Sequence, residues 1–213
     1  MKSKIGNILL FVLISYFLPL WGRWELLKTL PIVFMILKTI TLVTTQPPIT
    51  IEGANAQADH DRFSTLGIVV VYIGGQIAAM LEWVFFRGGH VVFDVFFWVG
   101  VVLMAGGLVF RVWCIKTLGR FFTTEVQVQQ GQRIITEGPY KHVRHPSYLG
   151  AYLAIVGSTL LVHAYFSAVT TAFLLGVAYY YRITVEETAL VREFGDEYAD
   201  YQKVSKRFLP FVY

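Results

Sequence analysis

The chain has 213 residues, 55% of them hydrophobic and 15% charged, with a mean hydropathy of +0.56 and a formal net charge of +4. A soluble domain carries about a quarter charged residues, so this apolar excess excludes an ordinary water-soluble fold and points to an integral membrane protein of one domain, 1–213. A single cysteine, Cys114, excludes an intramolecular disulfide and any multi-cysteine metal site.

Ile5 to Trp21 is a first apolar run behind Lys2 and Lys4. Trp21-Gly22-Arg23-Trp24 follows it rather than a small-residue cleavage site, so the run reads as a retained helix. Leu26 to Val43 is a second candidate, interrupted by Lys28, Pro31 and Lys38; it either spans the membrane or lies in its interface. Thr44 to Ser64, with Pro47-Pro48 and Gly53, reads as a polar loop. Leu66 to Phe86 predicts a span with Glu82 near its end, Arg87 to His90 a tight turn, and Val91 to Ile115 the next span. Gly106-Gly107 inside that span permits close helix packing. At shallow depth, Glu82 and Asp94 read as interfacial or structural rather than catalytic. Cys114, in an apolar run, reads as a small buried hydrophobe.

Lys116 to Arg144 is the longest polar stretch. Alternation from Glu125, resumed at Arg133-Ile134-Ile135-Thr136, suggests a small two-stranded hairpin on the membrane surface. Ser147 to Val162 is apolar, with Pro146 as its natural first helical residue, and His163-Ala164-Tyr165 makes a turn. Phe166 to Val185 is apolar again, and Glu186 to Tyr201 continues as a charged amphipathic helix.

Basic residues fix an orientation. Residues 111–213 hold eleven Lys/Arg against eight Asp/Glu, and residues 1–110 seven against six. Because the basic residues flank apolar spans, the positive-inside rule explains them more simply than nucleic-acid binding does. Placing Lys116–Arg144 in the cytosol returns the hairpin Ser147–Val185 to that same face, where Arg192, Lys203, Lys206 and Arg207 follow. The expected fold is all-α, with five or six membrane-spanning helices according to whether both N-terminal runs cross. The acidic loop 44–64 sits less comfortably in the cytosol than the rest.

Two polar clusters then meet at one membrane face: Gly138 to Tyr148, and Arg182 to Glu187. Arg182 and Glu186 are four apart and share a helix face, which by itself accommodates a simple intrahelical ion pair worth about 0.2–0.5 kcal/mol. His142 and His145 lack a third ligand at matching spacing, so no metal site is expected. Ser147 lacks an acid–base relay, and Tyr140 and Tyr148 also suit an interfacial aromatic belt. No phosphate loop or Gly-rich dinucleotide fingerprint is present.

Certain of these residues fall into a known order: Gly138 and Tyr140; Arg144, His145, Pro146, Tyr148 and Gly150 opening an apolar helix; Glu186, Glu187, Leu190, Phe194, Gly195, Tyr198 and Tyr201; and the ending Leu209-Pro210-Phe211. In this order and at these intervals they resemble the isoprenylcysteine carboxyl methyltransferase family, over about residues 106–213; residues 1–105 carry no such signature. The resemblance implies a catalytic core at 106–213 behind variable N-terminal helices, and S-adenosylmethionine as cofactor at the cytosolic face. It implies that Tyr140, Arg144, His145, Pro146, Ser147, Tyr148 and Glu186 line the cofactor site. Gln127 corresponds to a cofactor-binding glutamine after a two-residue deletion, and Gln132, Arg133, Ile134 and Ile135 to a cofactor-contacting stretch. Arg182 corresponds to an arginine on the substrate side, so Arg182 and Glu186 are the candidate catalytic pair.

The chemistry is consistent with that. A carboxylate acceptor is already ionised at neutral pH and needs a cation to orient it, which Arg182 supplies. An amine acceptor would have to lose a proton beside that cation. The expected function is therefore methylation of the carboxylate of a lipidic thioether such as an isoprenylcysteine, in a bacterial inner membrane or the endoplasmic reticulum, with the substrate arriving from the bilayer. The alternatives are methylation of a phospholipid amine or other small amphiphile, and a sterol-type reductase, against which the short chain counts. No internal repeat supports a transporter.

Overall fold

A computed structural model describes residues 2–46, 62–123 and 131–208, and helices dominate throughout them. In chain order they are α1 (Lys2–Val12), α2 (Leu30–Thr45), α3 (Arg62–Phe86), α4 (Val95–Leu118), α5 (Pro146–Leu160), α6 (Tyr165–Phe194) and α7 (Asp196–Val204), with short π and 3-10 turns between. Among the described residues, three stretches are long and apolar enough to cross a membrane: Ser64–Phe86, Val95–Phe121 and Tyr165–Phe194. The other apolar helices are shorter; α2 has 16 residues and α5 has 15. At 1.5 Å per residue these reach roughly 24 Å, short of the ~30 Å hydrocarbon core.

Large apolar side chains that face outward mark the lipid side. Phe166, Val169, Phe173 and Val177 run along one stripe of α6, each more than half exposed. Inside, Leu20, Ile32, Met35, Met80, Trp83 and Phe97 form one fully enclosed core. A second centres on Tyr72, Ala151, Ile155, Leu175, Tyr179 and Ile183.

The tightest contact is antiparallel, between α4 and α5. A Cβ added at Gly107 would sit 2.5 Å from the Gly150 carbonyl oxygen, and one at Gly100 would sit 2.8 Å from the Gly157 carbonyl oxygen. Each helix thus presents a pair of glycines seven residues apart, a heptad-spaced seam that lets the two backbones touch. The expected Gly106-Gly107 contact resolves onto Gly107, because nothing lies within 4 Å of a Cβ at Gly106.

Glu82 and Asp94 serve helix N-termini, as expected for structural acids. Asp94 caps α4, accepting from the Phe96 and Phe97 N–H groups at 3.0 Å, and lies 2.9 Å from His163 Nε2. Glu82 accepts from Phe166 N–H at 3.1 Å, and from Ser167 N–H and hydroxyl at 2.8 Å each, at the start of α6. Carboxylates there meet otherwise orphaned N–H groups and the positive end of the helix dipole. His163 is therefore committed at the end of the α5–α6 hairpin away from the polar clusters. Cys114 is buried, as expected.

Two expectations are corrected. The charged continuation of α6 does not run to Tyr201: the helix continues past Glu186 to Phe194 and breaks at Gly195, whose φ of +54° disfavours any residue with a Cβ. α7 then turns Tyr198 and Tyr201 inward and leaves Asp200 and Lys203 exposed. The surface hairpin is not formed within the described residues either. Gly131–Thr136 contains no strand pairing, and 124–130 lie outside the described residues. The backbone pairing near the site is instead a parallel bridge between Val143 and Lys206, which brings the tail alongside the first cluster.

Candidate active site

Folding α5 against α6 brings the two sequence clusters into contact. Pro146 opens α5, so Ser147 and Tyr148 occupy its first turn, while Arg182, Glu186 and Leu190 lie on one stripe of α6. Tyr148 links the helices: its hydroxyl donates to Glu186 Oε2 at 2.8 Å and accepts from Arg182 Nε at 3.2 Å. Arg182 Nη1 also donates to Ser64 at 3.1 Å and Thr65 at 3.2 Å on α3.

The adjacent acids divide their work. Glu187 Oε1 accepts from Arg144 Nε at 2.7 Å and lies 3.2 Å from His145 Nε2; its Oε2 lies 3.1 Å from Arg207 Nε. Arg144 Nη1 continues to the backbone carbonyls of Gln202 and Ser205. This cluster ties the C-terminal segment to the start of α5. Glu186, by contrast, keeps 30% of its side chain exposed and lies 3.8 Å from His145 Nδ1.

Glu186 faces a cavity with about 850 Å³ of empty space, counting its mouth. Of the residues expected from the sequence, Gln132, Arg133, Ile134, Ile135, Tyr140, Arg144, His145, Ser147, Tyr148 and Glu186 all line it. Pro146 is buried in the first turn of α5 and does not reach the wall. Gln127 lies outside the described residues. The wall also includes Phe121 and Phe122 past the end of α4, which no sequence signal marks, and Leu190, Phe194, Tyr198 and Tyr201 beyond Glu186, which belong to the motif of the resemblance without an assigned role. The spacing 186, 190, 194 does put those α6 residues on the Glu186 stripe. The Tyr201 hydroxyl donates to the Tyr140 backbone carbonyl. Burial pushes the Tyr140 phenol up, and the Tyr201 phenol up to about 12, so both remain neutral donors at physiological pH.

Arg182 does not line this cavity. It faces a second and larger one, with about 1400 Å³ of empty space, enclosed by Phe11 of α1, Leu42 of α2, Ile68 and Tyr72 of α3, Ala151 and Ile155 of α5, and Tyr179 of α6. Arg111 of α4 lines it too, and no sequence signal had singled that residue out. Phe122, Thr123 and Tyr148 border both cavities. A more polar chamber and a more apolar one therefore share a wall, with Glu186 lining the first, Arg182 the second, and the Tyr148 hydroxyl bonded to both. No group of three or more His, Cys, Asp or Glu suited to a metal ion occurs among the described residues.

Comparison with known proteins matches the chain to a family. The model described as the isoprenylcysteine carboxyl methyltransferase (ICMT) family matches residues 98–192. The chain is similar to protein-S-isoprenylcysteine O-methyltransferase A of Arabidopsis thaliana, 30% identical over 173 residues, covering 77% of this chain and 84% of the plant protein. It is 31% identical over 109 residues to the protein-S-isoprenylcysteine O-methyltransferase of Schizosaccharomyces pombe, covering 45% of this chain and 46% of that one. In several of these relatives the matched stretch spans only about half of their length. A solved structure of the eukaryotic intramembrane Ras methyltransferase ICMT shares the fold, with a TM-score of 0.65 at 19% identity, over 98% of this chain and 75% of that one. On the plant relative and the family match, the chain belongs to the isoprenylcysteine carboxyl methyltransferase family.

Proposed function

We propose that the protein is a membrane methyltransferase that uses S-adenosylmethionine to methylate the carboxylate of a lipidic thioether, such as an isoprenylcysteine. The observation that carries this reading is the pair of cavities sharing the Tyr148 wall, the more polar one edged by loops and the more apolar one lined by helices.

The donor set of the polar cavity fits the cofactor. The Glu186 carboxylate suits an ammonium or ribose hydroxyls, Arg133 and His145 suit a carboxylate, and Phe121, Phe122 and Tyr198 offer faces to a purine or a sulfonium. Arg144 lines the same cavity, but its hydrogen bonds to Glu187 and the tail give it a holding role. S-adenosylmethionine supplies a methyl carbon on a positively charged sulfur, ready for in-line displacement by an oxygen anion. The chain's own contribution is alignment and exclusion of water. Arg182, fixed by Tyr148, Ser64 and Thr65, orients the acceptor anion from the apolar side. No general base is required, and a protonated amine would be repelled there.

In this reading five or six helices span or enter the membrane, the Gly138–Tyr148 cluster faces the cytosol, and the acceptor's hydrocarbon tail reaches the apolar cavity from the bilayer. The test is binding of S-adenosylhomocysteine to the purified protein, by calorimetry. Saturable binding that Glu186→Ala weakens and Arg182→Ala leaves intact supports the assignment. A folded protein with no such binding sinks it.

A further inference from the structure

The apolar cavity holds an unusual electrostatic arrangement. Lys4, Arg111 and Arg182 line it, and no carboxylate does so among the described residues. The Lys4 ammonium is already taken by the carbonyls of Thr44 and Gln46, at 3.1 and 2.8 Å, where α2 ends. Arg111 differs. It is 3% exposed, and among the described residues it has no ion pair and makes one hydrogen bond, from Nη1 to the Ser147 carbonyl at 2.9 Å. Its plane lies near the Phe122 ring, at 5.7 Å. Its Nε is buried with no hydrogen-bond partner among the described residues.

A guanidinium held in such surroundings without an anion is costly, and a neutral side chain could bridge α4 to Ser147 at less cost. Arg111 and Arg182 are also anchored on consecutive residues, Ser147 and Tyr148, in the first turn of α5. Both cations therefore border the wall between the two chambers. We propose that Arg111 is a second acceptor-binding cation, which grips the acceptor carboxylate jointly with Arg182 and makes the site selective for an acid over its methyl ester. The inference rests on the methyltransferase reading and extends it. Conversion of acid to neutral ester removes the anion that both guanidiniums hold, so the same pair favours release of the product into the bilayer.

The experiment compares two probes, N-acetyl-S-farnesylcysteine and its methyl ester, for binding to the S-adenosylhomocysteine-loaded protein in nanodiscs. The wild type is expected to favour the acid about a hundredfold, roughly tenfold for the charge-assisted hydrogen bond from each guanidinium. Arg111→Gln is expected to cut that ratio about tenfold while leaving ester and S-adenosylhomocysteine affinities unchanged; Arg111→Lys, which keeps the charge and loses the fork, falls between. An acid-to-ester ratio unchanged in Arg111→Gln overturns the proposal, as does an equal loss for both probes, which marks a structural role. Should Arg111→Gln not fold, a wild-type ratio in Arg111→Lys overturns it equally. Wild-type protein that binds S-adenosylhomocysteine but shows no acid preference refutes this inference alone; failure to bind S-adenosylhomocysteine refutes the parent reading first.

Discussion

Replacing Gly107 by alanine tests the link between helix packing and site geometry. A Cβ there would meet the Gly150 carbonyl oxygen at 2.5 Å and the Ala154 amide nitrogen at 2.7 Å, whereas ordinary contact begins near 3.4 Å. Both neighbours are backbone, so no side chain can swing aside and α4 and α5 must separate by about an ångström. Overpacking of this kind costs about 1–3 kcal/mol. Arg111 lies one turn along α4, and its Ser147 anchor one turn back along α5, so the separation is felt at the wall between the two cavities. A misplacement of about 1 Å at a reacting centre can cost on the order of 100-fold in rate. Gly106→Ala, facing open space on the same helix, is the control and should leave both stability and rate near wild type. The assay is thermal unfolding in detergent together with single-turnover methyl transfer. Equal stability and equal rates for the two variants would refute the packing argument.

Three further outcomes follow from particular contacts. Arg182→Ala should raise the acceptor KM strongly with little change in S-adenosylhomocysteine affinity, and Glu186→Ala should do the reverse; equal losses of both in either variant would count against the division of roles across Tyr148. Glu82→Ala removes three hydrogen bonds at the start of α6 and should lower stability by about 2–3 kcal/mol, with cofactor affinity intact because Glu186 lies roughly 30 Å further along that helix. Lys38 is fully buried and held by Gln76 at 2.6 Å and Ser158 at 3.0 Å. Gln76→Leu should destabilise by about 1–3 kcal/mol by taking one hydrogen-bond partner from that buried nitrogen, and adding Lys38→Met should recover much of the loss; additive effects in a denaturation cycle would contradict the pairing.

The polar clusters at Gly138–Tyr148 and Arg182–Glu187 were legible because ionisable groups bordering apolar runs stand out, and a hairpin of two apolar helices returns its ends to one face. Arg111 and Lys38 were not legible in the same way. Inside an apolar run a single cation reads as an interruption, and only packing reveals that Gln76, Ser158 or Ser147 receives it. The end of α6 falls at Phe194 rather than Tyr201 because helical periodicity reads through a single glycine, whereas Gly195 takes a left-handed conformation and breaks the helix. Alternation around Ile134 suggests a strand, but Gly131–Thr136 shows no strand pairing, and the rest of the expected hairpin, from Glu125, lies outside the described residues up to Gln130.

The central claim concerns what receives the methyl group. Incubating the protein with methyl-labelled S-adenosylmethionine and N-acetyl-S-farnesylcysteine, with phosphatidylethanolamine as competitor, and treating the lipid product with alkali separates the possibilities. The account predicts label on the farnesylcysteine alone, released by alkali as methanol, as an ester requires. Alkali-stable label on the phospholipid amine would contradict it.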